Sequence, residues 1–192
     1  PDDVKTEPVQ ALAPASCDVS ANRAAIADLK AKAGQGGDEI SAHVALLERV
    51  NGDLAAVDAA YEVAKKDYVA GRFDKVSEGL EGARARLAAL GGSPDCPDLA
   101  TRLDNALEKN AKTQDALAET AAAIKSCEAA PLAALKERYA ALSHSGLAKA
   151  LARAEALSAI HGQARSAAAS YKSGDIAAAY ETARAARDKL SA

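Results

Sequence analysis

The chain has 192 residues and a formal net charge of −3, with 24 basic residues scattered among 27 acidic ones. Alanine fills 52 positions, whereas the aromatic residues are five Tyr and one Phe, and Met and Trp are absent. There is no apolar run long enough to cross a membrane as a helix. There is also no basic stripe and no aromatic platform of the kind nucleic-acid binding uses.

Alanine is the strongest helix former, and β-branched and aromatic strand formers are few, so the fold class is all-α. The expectation is an Ala-rich bundle or array of about seven helices. Each Ala buries little apolar area at roughly 25 cal/mol per Å². Stability must then come from many thin contacts or from a covalent staple.

Residues 1–16, PDDVKTEPVQALAPAS, hold three of the six prolines and read as a flexible tail or linker. The opening Pro1-Asp2-Asp3-Val4, without an initiator Met, reads as the result of processing or as part of a longer protein. Leu12 to Cys17 superficially suggests a lipoprotein cleavage site, but no hydrophobic run precedes it and Pro14 stands where a large aliphatic belongs.

A first helix is expected from the N-caps Asp18 or Ser20 to about Ala33, with Ile26 and Leu29 on one face. Gly34-Gln35-Gly36-Gly37 ends it. Asp38 opens a long second helix with a stripe of Ile40, Val44, Leu47, Leu54, Val57, Tyr61 and Tyr68; Gly52 is a site where it can bend, and Gly71 stops it. The third helix runs from near Asp74 to Gly91-Gly92 with the stripe Val76, Leu80, Ala83 and Leu87. The loop Gly91 to Asp98 punctuates the chain. A fourth helix follows to Ser126 without a Gly or Pro, on the order of 43 Å long. A fifth covers about Pro131 to Leu142, a sixth about Leu147 to Ser173, and a seventh about Asp175 or Ile176 to Leu190. The organisation expected is a first helical unit over 17–97, a connecting helix over 98–126 and a second unit over 127–192.

The two units read as copies of one another at an offset of 103 residues. Tyr68, Gly71, Phe73, Val76, Leu80, Ala83 and Leu87 correspond to Tyr171, Gly174, Ile176, Ala179, Ala183, Ala186 and Leu190. Glu78 matches Glu181, Arg84 matches Arg187, and Ser16-Cys17-Asp18 matches Ser126-Cys127-Glu128 in kind. The shared pattern is a helical elbow. Tyr packs at the end of one helix, Gly71 or Gly174 takes a positive φ as the hinge, Phe73 or Ile176 plugs the turn, and a small residue lets the next helix approach.

Both segments resemble the central half of a tetratricopeptide repeat. The resemblance rests on Tyr68, Gly71, Phe73, Val76 and Ala83 in one and on Tyr171, Gly174, Ile176, Ala179 and Ala186 in the other. It spans about 20 residues each time, without the family's 34-residue period or closing Pro. It implies the hairpin geometry and a leaning towards protein binding.

Three cysteines occur, Cys17, Cys96 and Cys127. None belongs to a Cys-x-x-Cys pair and no His stands at ligand spacing, so neither a metal site nor a cofactor is expected. The helix lengths place Cys17, before the first helix, and Cys96, after the third, both near the mid-height of the second. They are a disulfide candidate; the alternative is three reduced cysteines acting as small hydrophobes. Cys127 is the mate of Cys17, and its own partner would fall near position 199, past the last residue given. Cys127 is then either free or paired in a longer protein.

The remaining candidates have plainer readings. His43, His144 and His161 are isolated and are not read as catalytic. Gly34 to Gly37 lacks the preceding strand and the Lys-Ser/Thr of a phosphate loop, and Asp2-Asp3 and Asp38-Glu39 lack calcium-loop spacing. Arg84, Arg86, Arg184 and Arg187 suit the last turns of their helices through the helix dipole. Any interaction groove would take its walls from Tyr61, Tyr68 and Tyr171.

The function expected is that of a non-enzymatic helical protein-interaction or scaffold module, with a protein partner. Its place is expected to be an oxidising compartment, periplasmic or secreted, with the cytoplasm as the alternative. The Ala-rich, Met-free composition is compatible with a bacterial source. A helical carrier for a small apolar ligand is the second reading and an enzyme the third.

Overall fold

A computed structural model describes residues 12–32, 37–90, 96–126 and 129–190. Those residues form seven α-helices and no strand: α1 (Val19–Lys32), α2 (Gly37–Val69), α3 (Phe73–Ala88), α4 (Pro97–Ser126), α5 (Ala129–Arg138), α6 (Ser145–Lys172) and α7 (Ile176–Leu190). The fold is all-α. Residues 1–11, 33–36, 91–95, 127–128 and 191–192 lie outside the description, and with them Cys127, most of the Gly34–Gly37 turn and most of the Gly91–Asp98 loop.

The helix boundaries follow local chemistry. Asp18 Oδ1 accepts from the Ser20 amide at 2.7 Å and caps α1. Asp175 Oδ1 accepts from the Ala178 amide at 3.1 Å at the start of α7. Pro97 opens α4, where its missing N–H costs nothing. Between α6 and α7 the Gly174 amide donates to the Tyr171 carbonyl at 3.1 Å and the Asp175 amide to the Ser170 carbonyl at 2.9 Å. This paired closure requires the left-handed conformation that Gly174 adopts at φ +86°. Gly71, after α2, sits at φ +73°. α2 passes through Gly52 as one helix.

α5 starts two residues earlier than the pattern suggests and ends at Arg138, short of Leu142. The chain turns there instead, with the Leu142 amide donating to the Tyr139 carbonyl at 2.9 Å. α6 starts at Ser145, capped by His144, whose Nδ1 accepts from the Gly146 amide at 3.2 Å. A Cβ on residue 146 would meet the His144 ring at 3.0 Å, so any larger residue there requires the ring to shift by a few tenths of an ångström.

The chain divides into two compact units. One comprises residues 1–68 and 74–107, the other residues 69–73 and 108–192. Residues 98–126, read from sequence as a connector, are thus shared: α4 belongs to the first unit up to Leu107 and to the second from Glu108.

The first unit holds the larger core. Leu47, Val50, Leu54 and Val57 of α2 pack with Val76, Leu80, Ala83 and Leu87 of α3 and with Leu103 of α4; Ile26 and Leu29 of α1 close one side. The α3 stripe is the one its spacing predicts. On α2 the buried row adds Val50, Ala64 and Asp67, while Tyr61 and Tyr68 are half-buried at its margin. The second unit has a smaller cluster of Ala123, Leu132, Leu135 and Ala154, bordered by Ile124, Tyr139 and Leu151. Its buried Thr113 and Thr120 satisfy their hydroxyls on the carbonyls of Lys109 and Ala116, at 2.9 and 2.6 Å.

Candidate functional site

Cys17 and Cys96 form a disulfide, with Cα atoms 5.6 Å apart across a sequence separation of 79. The middle of α2 is where α1 and α3 come together. Asn22 of α1 bonds Asn51 at 2.9 Å, Lys30 pairs with Glu48 at 2.9 Å, and Arg86 of α3 pairs with Asp53 at 3.1 Å. The two ends that carry the cysteines therefore meet at the same height.

Beside the bridge lies a polar clamp that no sequence period announces. Asn22 is 2% exposed. Its Oδ1 accepts from the Ser16 amide at 2.8 Å, while its Nδ2 donates to the Ser16 carbonyl at 2.7 Å. One side chain thus holds the segment before α1 as a paired strand would, and donates to Asn51 as well. Buried amides need such partners. His43 Nε2 adds a bond to the Ala13 carbonyl at 2.8 Å.

The three tyrosines read as groove walls stand in different surroundings. Tyr61, in the first unit, lies under Arg102, whose guanidinium carbon is 3.7 Å from the ring centroid and which also bonds Asp58 at 2.9 Å. Partial burial opposes the charge on Arg102, but the bonds to Asp58 and Tyr61 outweigh it and raise its pKa further. Tyr68, also in the first unit, packs against the core. Tyr171, in the second unit, is 67% exposed. Tyr139 repeats the Tyr61 arrangement within the second unit. Arg138 sits 4.7 Å over its ring, and Glu119 takes both the Arg138 ion pair and the Tyr139 hydroxyl.

The hinge glycines sit at corresponding places, 103 residues apart, and the helices break at corresponding residues. The stripes beyond them differ. On α7, Ala179 and Ala186 are buried, but Ile176, Tyr180 and Leu190 are 57%, 66% and 63% exposed. This open apolar row corrects the sequence reading of the second elbow: Ile176 does not plug the turn, Tyr171 does not pack at the helix end, and Leu190 is not part of a buried stripe. Its signal was there, in the recurrence of apolar residues on a second side of α7.

His144 is buried, with its ring centroid 5.2 Å from that of Phe73, and serves as a helix cap and packing partner. Among the described residues no group of three or more His, Cys, Asp or Glu side chains is placed to hold a metal ion. Nor is any helix among them long and apolar enough to cross a membrane. Arg84, Arg86, Arg184 and Arg187 all make ion pairs, with Asp104, Asp53, Asp188 and Asp188 respectively.

Two open clefts lie in the first unit. One, of about 520 Å³, is bordered by Pro14, Ala15, the Cys17–Cys96 bridge, Pro97 and Leu99. The other, of about 460 Å³, runs between Ala56 and Ala60 of α2 and Gly79, Gly82 and Ala83 of α3. No protein-family model, curated protein or solved structure matches this chain.

Proposed function

We propose that this chain is a non-enzymatic helical module that binds or scaffolds other proteins in an oxidising compartment, periplasmic or secreted. The observation that carries the reading is the row Ile176, Tyr180 and Leu190, left open on α7 with Tyr171 exposed on the preceding helix. Large apolar side chains gathered on one side of a helix mark interaction sites far more often than single exposed ones do. Tyrosine, with an apolar ring and a polar tip, is favoured at such surfaces. The tetratricopeptide-like elbows lean the same way. The Cys17–Cys96 bridge supports the compartment, because a disulfide persists where thiols are not kept reduced.

The test is chemical cross-linking of the tagged full chain in the cells that produce it, read by mass spectrometry. Specific cross-links to another protein are expected. Recovery of the chain without any cross-linked protein would overturn the reading.

The apolar border of the cleft beside the bridge, Pro14, Ala15 and Leu99, favours a second reading as a carrier for a small apolar ligand. A carrier would gain thermal stability from lipid-like ligands, rising with the logarithm of their concentration above the dissociation constant.

A further inference from the structure

We propose that the outer face of α7 seats a partner helix of the kind that α4 presents to α3. The partner is an amphipathic helix running antiparallel to α7, with leucines four residues apart and a carboxylate next to one of them. The inference rests on the protein-binding reading above and on treating the two hairpins as copies.

Positions 176, 180, 183, 187 and 190 recur at intervals of four and three, so they fall on one seam of α7. The residues are Ile, Tyr, Ala, Arg and Leu. Ala179 and Ala186, which are buried, point to a neighbouring side. α7 is therefore apolar on two sides, one occupied and one open.

The same seam on α3, 103 residues earlier, is covered. Leu80 and Leu87 are buried in the cluster that contains Leu103 of α4, with Leu99 and Leu107 packed against it. Arg84 pairs with Asp104 at 3.1 Å. The short connection from Ala88 to Pro97 makes α3 and α4 antiparallel neighbours. So α4 shows what fits this seam: leucines at 99, 103 and 107, and an aspartate at 104 for the arginine.

Charge selects the same occupant. Arg187 stands where Arg84 stands, and one of its contacts, with Asp188 on its own helix, is a solvent-exposed pair. Such pairs exchange at little cost. Arg184 lies one turn away on the same helix, so the seam joins apolar contact with positive charge and calls for a helix that sets a carboxylate beside its leucines, as Asp104 does on α4. A second copy fits less well. The seam of a second α7, Ile176, Tyr180, Ala183, Arg187 and Leu190, offers Arg187 no carboxylate in either direction, and the α4 segment of another molecule already has Leu103 buried in its own core.

The probe is a fluorescein-labelled peptide with the sequence of residues 97–112, titrated with the oxidised full chain and read by anisotropy. Saturable binding with one peptide per chain is expected. Ala183→Glu, at an exposed helical position, is expected to weaken it by about tenfold or more, since it sets a carboxylate against the leucines. Arg187→Glu is expected to weaken binding of this peptide and to restore binding of one carrying Asp104→Arg. Circular dichroism checks that both variants remain folded.

No binding, or binding indifferent to Ala183→Glu, would overturn the inference; the second result would mean that the peptide lodges elsewhere, for example in place of α4 on α3. A concentration-dependent dimer abolished by Ala183→Glu, without peptide binding, would give the seam to a second copy instead. Cellular cross-links mapping away from α7 would overturn this inference and leave the scaffold reading standing. A lack of any cross-linked protein would remove the scaffold reading itself.

Discussion

The two helical hairpins turn alike and are covered differently. α2 gives way to α3 through Gly71 at φ +73°, and α6 to α7 through Gly174 at φ +86°. In each the following helix buries small or medium residues three and ten positions after its first: Val76 and Ala83 on α3, Ala179 and Ala186 on α7. Beyond that the likeness ends. Leu80 and Leu87 of α3 disappear under α4, whereas Ala183 and Leu190 of α7 face solvent. The difference shows that elbow geometry and helix burial are separate properties. A Tyr-x-x-Gly turn is fixed by a few bonds between neighbours in sequence. Burial depends on whether a further helix arrives.

Among the described residues the covalent staple joins Cys17 and Cys96 on the covered side, and breaking it carries the largest expected effect. Closing a loop of this length stabilises by up to about 4.5 kcal/mol in the chain-entropy model. Cys17→Ser with Cys96→Ser, or reduction, should lower the melting temperature measured by circular dichroism by many degrees. An unchanged melting temperature would mean that α1 is held by its contacts with α2 without help from the bridge.

Next come the matched seam positions. Leu80→Ala removes a fully buried side chain and should cost about 2–5 kcal/mol in chemical denaturation. Leu190→Ala, on the exposed row, should stay within about 0.5 kcal/mol. Equal costs would erase the distinction between the hairpins.

The hinges should instead behave alike. Neither Gly71 nor Gly174 has any atom within 4 Å of where a Cβ would stand, so substitution meets only backbone strain. Gly71→Ala and Gly174→Ala should each cost about 1–2 kcal/mol. A large inequality would show that one elbow is not set by its glycine.

The smallest effect is a pH dependence. The hydrogen bond from Lys112 holds the Glu108 carboxyl below its ordinary pKa. A depressed carboxylate stabilises the folded state above its unfolded pKa, and that contribution is lost as pH falls through the folded value. Glu108→Gln should therefore flatten slightly the loss of stability on acidification. An unaltered acid profile would show that the pair contributes nothing in solution.

The parts of this fold that are legible in the sequence are those written locally. Helix spacing, the Asp18 and Asp175 caps and the Gly stops mark all seven helices, because 3.6-residue periodicity and capping involve neighbours in the chain. The meeting of Cys17 and Cys96 follows from comparing helix lengths. The Asn22 clamp does not, since Ser16 and Asn51 stand 6 and 29 residues away with no period to link them. His144 reads as a loop residue until its ring is seen to accept from the Gly146 amide. The tyrosines are the sharpest lesson. Tyr61, Tyr68 and Tyr171 read alike as wall candidates, yet Tyr61 is roofed by an arginine, Tyr68 joins the core, and Tyr171 stands out. Nothing in the local sequence of a tyrosine states which helix will pass over it.

The most direct test of the contrast between a covered and an open hairpin is limited nitration of the native chain with tetranitromethane, with each tyrosine quantified by mass spectrometry. The result expected is rapid modification of Tyr171 and Tyr180 and slow modification of Tyr61, Tyr68 and Tyr139. Modification of all five at one rate, or protection of Tyr180, would contradict it.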